Sequence, residues 1–411
     1  MNIYKKPELL SPAGNAEKMR AAFLYGADAV YLAGNRFGMR SAADNFTVDE
    51  LYEAAEYAHA RGKKLYLTVN TMPHGDEYPA LRAYLHAVKD AGLDAMIVAD
   101  LGVLALIKEI LPDMEIHVST QAGIVSAPTA NAFVALGAKR LVLARELTLS
   151  EIAEIRAEIP QGIELETFVH GSMCVSYSGR CMLSNMLTGR DGNRGACTQP
   201  CRWSYHLIEE KRPDVPIPIE ETDLGTFVLS SKDMNTVSIL PKLVAAGIDS
   251  FKIEGRMKSV YYTAVVTNAY RMALDRYFAD PEGYVFDPAL ERELESVSHR
   301  EYGTGYYENP PHDAAQLCSK DGYIREKAYF AIAESDSGGQ GLARFKQKNK
   351  IKRGDRAELL SPGKIGRPFL VEELFDEDGQ PIDAAPHPSQ IFACRVPFEV
   401  RKGDILRSGE E

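Results

Sequence analysis

Residues 166–203 hold four of the chain's six cysteines, Cys174, Cys181, Cys197 and Cys201, in the spacing C-x6-C-x15-C-x3-C. The same stretch carries five glycines and four arginines and follows an extended apolar run. That composition suits a loop that wraps something better than it suits a buried helix. Two sulfur chemistries compete for such a set. Disulfides persist in oxidising compartments. The first residues, MNIYKKPELL, contain no signal-peptide core, so a cytoplasmic chain with reduced thiols is expected. Four thiolates then suit zinc or an iron–sulfur cluster. Only Cys197 and Cys201 have the short spacing of a zinc knuckle, whereas a cluster accepts ligands from scattered parts of a fold. Nearby arginines offset the negative charge of thiolates and sulfides. A [4Fe–4S] cluster is the leading expectation; zinc and unliganded thiols stay open. Cys318 and Cys394 lie in other contexts and read as ordinary thiols.

Strand-like apolar runs at 8–14, 29–34, 64–70, 95–100, 115–120, 140–146, 164–170 and 250–255 must position this loop. Helical patterns at 15–25, 47–61, 78–91, 101–111, 129–136, 150–158 and 260–275 alternate with them. Short strands joined by crossover helices predict parallel βα units, and eight of them predict a TIM-type (β/α)8 barrel. A doubly wound sheet is the alternative. The cysteine-rich segment, 171–235, is then an insertion after strand seven within a barrel spanning 1–280. A ninth strand-like run, 227–231, is placed in that insertion, paired as a hairpin with 203–208. Residues 281–327 read as a connector. From 328 to 411 short strands with turns predict a small β-barrel domain. Within it, Arg353-Gly-Asp355 and Lys402-Gly-Asp404 punctuate strands alike.

Barrel sites lie at the C-terminal ends of the strands. Those ends carry Asn70, Asp100, Ser119, Thr120, Gln121, Arg145, Glu146, Glu166, His170, Lys252, Glu254 and Arg256, and the loop after strand two adds Arg40, Ser41 and Asn45. Some are expected to be helix caps and inter-strand ion pairs. His170, Glu166 and Arg256 are the catalytic candidates. Arg40, Asn45, Gln121, Arg145, Glu146, Lys252 and Glu254 are the substrate-binding candidates. Guanidinium forks match carboxylates, so Arg40, Arg145 and Arg256 suit a dicarboxylate, and equally RNA phosphates. His170 ends strand seven four residues before Cys174, which makes it the expected link between barrel and thiols.

The run ETFVHGSMCVSYSGRCMLS, from Glu166 to Ser184, resembles the signature of the collagenase-like peptidase family, number thirty-two among peptidases of unassigned type. ELLSPAG, from Glu8 to Gly14, and FKIEGR, from Phe251 to Arg256, extend the resemblance over nearly the whole chain. Several members of that family resemble RNA- or quinone-modifying hydroxylation proteins more than proteases. The resemblance implies prephenate-dependent C5 hydroxylation of a wobble uridine in tRNA, with a four-cysteine iron–sulfur cluster. The ligands carry over one by one onto Cys174, Cys181, Cys197 and Cys201. The implied partners are tRNA and a paired homologue of the same family. Two rivals remain: a peptidase with a cysteine nucleophile in the Cys174 loop paired with His170, and a non-catalytic cluster-bearing scaffold. No H-E-x-x-H, G-x-S-x-G, Walker A or C-x3-C-x2-C motif is present.

The chain has 411 residues and a formal net charge of −11, which disfavours non-specific binding to nucleic acid. One basic strip stands out, with Lys346, Lys348, Lys350 and Lys352 between Arg344 and Arg356. It reads either as a contact for RNA phosphates or as an edge strand that blocks aggregation with lysines. No apolar run reaches the length of a membrane span; the candidate at 95–107 is short and contains Asp100.

Overall fold

The computed structural model describes residues 5–39, 44–174, 176–177, 179–203, 206–209, 212–218, 231–309, 323–337 and 341–409. Eight parallel strands close on themselves: β1 (Glu8–Pro12), β2 (Ala29–Ala33), β3 (Lys64–Val69), β4 (Ala95–Val98), β5 (Glu115–Val118), β6 (Arg140–Val142), β7 (Glu164–Ser172) and β8 (Ser250–Ile253). Closure comes from β8, which pairs in parallel with both β1 and β7. The expected TIM-type barrel is therefore present.

Local chemistry sets the crossover helices. α1 (Ala16–Leu24) begins where the Asn15 side chain accepts the Lys18 N–H. α2 (Val48–His59) starts with a capping box between Thr47 and Glu50. α3 (Tyr78–Val88) and α4 (Leu101–Ile110) follow, and Asp100 caps α4 by accepting the Val103 N–H. Asp100 also accepts from the Tyr78 hydroxyl at 3.0 Å, so this rim carboxylate is occupied with structure. α5 (Ala127–Ala135) starts two residues before the pattern suggested, because Ser126 caps it and Pro128 fits its first turn. α6 (Leu149–Glu158) repeats the capping box with Thr148 and Glu151.

The barrel interior is unusual in carrying an ionic layer. Arg140 is buried and bonds Glu8 at 2.6 Å, Glu164 at 2.6 Å and Glu166 at 3.1 Å. Lys252 meets the other oxygen of Glu166 at 2.6 Å. Burying charge is tolerated only with such pairing. An apolar layer that includes Leu10, Tyr31, Tyr66 and Ile97 packs with it.

The insertion after β7 contains α7 (Leu183–Thr188) and a hairpin in which His206–Glu209 pairs with Arg212–Pro218. The partner expected for that first strand was 227–231; residues 227–230 lie outside the described residues. The chain then returns as Asp233–Asn235, antiparallel to the far end of β7, with Asn235 opposite His170. α8 (Leu240–Ala245) leads into β8, and α9 (Val260–Ala279) and α10 (Pro288–Glu295) follow it.

Residue contacts divide the chain into two units. One comprises Met1–Met19, Ala27–Lys258 and His299–Tyr323; the other comprises Arg20–Gly26, Ser259–Ser298 and Ile324–Glu411. In the second, β9 (Tyr329–Ala333), β10 (Leu342–Gln347), β11 (Arg356–Leu360), β12 (Arg367–Leu370), β13 (Leu374–Phe375), β14 (Ile391–Arg395) and β15 (Ile405–Ser408) form a curled antiparallel sheet. Its core includes Phe345, Phe392, Leu359, Leu406 and Cys394, whose thiol is pushed up to about 12 by burial. Arg407 is buried in this unit between Glu293 and Glu358, each at 2.7 Å.

The basic strip starts on β10, which lies between β9 and β14. Lys346 is paired with Ile332 on one side and Ile391 on the other, so this is no edge strand. Lys352 belongs to a short pairing of Ile351–Lys352 with Ala384–Ala385, and Lys350 and Lys352 are exposed. The two Gly-Asp triplets are matching turns. Gly354 and Gly403 have φ of 87° and 91°, and the carboxylates of Asp355 and Asp404 each accept an N–H three residues back. Among the described residues no helix is long and apolar enough to cross a membrane.

Candidate active site at the barrel mouth

A cavity of about 180 Å³ opens at the C-terminal ends of the strands. Its floor is barrel and its roof is the insertion. Tyr31, Thr68, Phe168, Lys252, Glu254 and Arg256 reach it from strands β2, β3, β7 and β8 and the chain just beyond, and Gln121 and Arg145 from the loops after β5 and β6. All four cysteines of the insertion line the same cavity. Four cationic side chains, Arg145, Arg202, Lys252 and Arg256, share that wall with one carboxylate, Glu254.

Each cation is held in place. Arg145 contacts Glu254 at 3.3 Å, donates to the Ser172 carbonyl at 3.2 Å and lies 3.8 Å over the Phe168 ring. Lys252 is tied to Glu166 and lies 4.6 Å from the Tyr31 ring centroid. Arg256 donates to the Thr68 hydroxyl at 3.3 Å. Arg202 donates to the Met173 carbonyl and to the Tyr323 hydroxyl, the latter at 2.9 Å. The side-chain oxygen of Gln121 is buried without a hydrogen-bond partner, an acceptor that a ligand N–H or O–H can fill.

The thiols form no disulfide; Cys174 and Cys197 are exposed and Cys181 and Cys201 half-buried. Burial raises the Cys201 thiol, Arg202 opposes that, and the other three cysteines add to it. Gln199 takes a left-handed φ of 59° and its N–H donates to Cys197 Sγ at 3.3 Å. Gly179, at φ of 75°, is needed for closure: a Cβ there would stand 2.8 Å from the Gln121 carbonyl oxygen. Among the described residues no three His, Cys, Asp or Glu side chains converge as ligands of a single metal ion.

Gln121, Arg145, Lys252, Glu254 and Arg256 are thus brought together with the cysteines. Asn45 lines a neighbouring hollow with Phe37, Thr71 and Arg194, where Arg194 of the insertion meets Glu77 at 2.5 Å. Glu146 is half-buried off the cavity wall, its carboxyl raised by burial. Glu166 lies beneath the cavity, and its two cations hold its carboxyl down at about 2 against the cost of burial. Arg40 lies outside the described residues. Arg202, Tyr31 and Thr68 were not singled out from sequence; adjacency to Cys201 flags Arg202, and strand parity flags the other two.

His170 does not line the cavity. Its ring packs on Tyr302 with centroids 5.3 Å apart, and its Nε2 lies 3.4 Å from that hydroxyl. Tyr302 in turn stacks on His299 at 4.1 Å. The cause is one extra residue in β7. Phe168 is in register with Lys252, but His170, not Val169, is in register with Ile253. Lys252 faces the barrel interior, so Ile253 faces outward and His170 faces with it. Burial, then the neighbouring His299 and Lys258, push its imidazole down to about 3 from an ordinary 6.5. The folded chain thus holds this ring neutral while the unfolded chain takes up a proton. His170 should contribute stability that is full above pH about 6.5 and drains away as pH falls toward about 3. His170→Phe should flatten that part of a urea-denaturation pH profile; an unchanged slope would exclude this ring as its source.

The amino-acid pattern of peptidase family U32 matches residues 14–317, and that of the U32 C-terminal domain matches residues 325–407. The chain belongs to peptidase family U32. Similar members include tRNA hydroxylation protein P1 of Bacillus subtilis, 38% identical over 99% of this chain and 96% of its own length. The 23S rRNA 5-hydroxycytidine C2501 synthase of Escherichia coli is 40% identical over 65% of this chain and 39% of its own. A collagenase of Porphyromonas gingivalis is 31% identical over 86% of each chain. Members of the U32 family thus carry names from two chemistries, and the cavity must discriminate between them.

Proposed function

We propose that this chain hydroxylates RNA, at C5 of a wobble uridine in tRNA, with prephenate or a related acid as co-substrate and a [4Fe–4S] cluster on Cys174, Cys181, Cys197 and Cys201. One observation carries the reading: the four thiols and a predominantly cationic barrel rim line the same cavity. Four thiols on one cavity are the donor set such a cluster would use, with an N–H on one sulfur and Arg202 beside another. Such a cluster would supply one-electron redox chemistry when bound; replacing C–H by C–OH removes two electrons and adds an oxygen atom, so an external oxidant that brings the oxygen is required as well. The residues of the chain do the rest. Arg256 and Arg202 offer guanidinium donors to the carboxylates of the acid. Lys252 and Arg145 keep the wall positive while their own partners fix their positions. The orphaned Gln121 oxygen offers an acceptor to a substrate N–H. The names of the hydroxylating relatives support the same reading.

The collagenase relative keeps the peptidase alternative in view. A Cys–His nucleophile requires the imidazole within hydrogen-bond reach of the thiol. His170 instead faces away from the cavity that Cys174 lines, against Tyr302. Digestion of tRNA to nucleosides after incubation with anaerobically prepared protein tests the proposal. Acid-dependent formation of 5-hydroxyuridine is expected, reduced about 10²-fold in Arg256→Ala through loss of carboxylate positioning. Collagen cleavage by metal-free protein, blocked by alkylating a single cysteine, would favour the peptidase.

A further inference from the structure

We propose that the outer face of the cysteine-rich insertion is the surface on which unpaired nucleobases of an RNA strand stack; the inference rests on the RNA reading above. α7 is turned inside out. Ser184 is buried, its hydroxyl donating to the Arg190 carbonyl at 2.7 Å and lying 3.1 Å from the Thr198 hydroxyl. Thr188 donates to the Ser184 carbonyl on the same inner side. Leu183 reaches the cavity, but the other apolar residues point outward: Met182, just before the helix, Met186 and Leu187 are 55%, 78% and 52% exposed. A helix that buries hydroxyls and presents methionines to water has a partner for its apolar face. Trp203, 42% exposed, follows the turn Pro200–Arg202 that packs on α7, and Tyr177, 50% exposed, lies between Cys174 and Cys181.

Charge identifies the partner. Residues 171–203 contain four arginines and one aspartate, in a chain whose net charge is −11. The aspartate, Asp191, is engaged by the N–H of Asn193. Arg180 and Arg190 are exposed and have no carboxylate partner among the described residues. Exposed aromatic rings and arginines within one insertion match single-stranded RNA, whose bases stack and whose phosphates take guanidinium donors. The same insertion roofs the cavity, so a strand stacked there presents its next base to the site.

Trp203 is the chain's one tryptophan, which gives a direct readout. The cluster-loaded protein is titrated with a short uridine-rich single strand while tryptophan emission and affinity are followed. Quenching is expected. Trp203→Ala should weaken binding about tenfold, and Trp203→Phe, which keeps a stacking ring, should retain it. Arg180→Glu with Arg190→Glu should weaken binding and lower the salt slope of log Kd by about 1.4, measured on the cluster-loaded fraction. RNA binding that leaves the emission unaltered and ignores both arginines overturns the proposal while the RNA reading stands; loss on reversing Lys346, Lys348, Lys350 and Lys352 would then place docking on the second unit. No RNA binding at low salt overturns both. Quenching by a second copy of the chain or another protein, and not by RNA, gives this face to a protein partner and overturns the proposal.

Discussion

Replacing any one of Cys174, Cys181, Cys197 or Cys201 with alanine should remove most of the iron from anaerobically purified protein and abolish RNA hydroxylation. The four thiols share one cavity, so they should act as a set. A cluster held by three thiolates has an open corner and is lost readily to air. Cys394 provides the control. It sits in the core of the second unit with a thiol raised to about 12, far from thiolate chemistry. Cys394→Ala should lower stability modestly and leave iron per folded chain unchanged. The expected result is a drop of at least tenfold in bound iron and sulfide for each of the four variants and none for the control. One zinc per chain with no iron in wild-type protein prepared without air would refute the cluster. Iron loss in only one or two of the four would refute the shared site.

Arg140→Met should destabilise the fold by about 3–5 kcal/mol, the usual cost of leaving buried carboxylates without their cation. Glu8, Glu164 and Glu166 all contact this guanidinium, and Glu166 would keep only Lys252. The effect should be pH-dependent. In the native chain Glu166 is held down at about 2, below the ordinary 4.5, so it stabilises the fold above pH about 4.5 and that contribution is lost as pH falls toward 2. Removing Arg140 lets Glu166 protonate at higher pH and should move the acid-unfolding midpoint upward. Glu166→Gln added to Arg140→Met should recover part of the loss, because the carboxylate that lacks its partner is gone. Urea denaturation of the single and double variants measures the coupling. A loss under about 1 kcal/mol for Arg140→Met would show that solvent reaches this layer. The same series separates structure from chemistry: if Glu166→Gln keeps full activity, its role is to hold Lys252 and the barrel.

The barrel was legible from the sequence because its determinants are local. Short apolar runs, cap residues such as Thr47, and crossover helices specify strands and their parallel order within a few neighbours' reach. The cysteine spacing likewise marks one loop, and that loop does bring its four thiols to a single cavity. Side-chain direction was not legible in the same way. His170 sits at the end of the right strand, yet a single added residue in β7 turns it out of the cavity, and only the pairing partner β8 reveals that slip. Glu166 shares the strand, but its fate depends on Arg140 and Lys252, which are 26 and 86 residues away in sequence. Arg202 becomes a cavity residue only because the insertion folds back over the barrel. Local propensity therefore determined which elements form and where the thiols gather; strand register and long-range charge pairing, which no local window contains, decided which rim residues face the site.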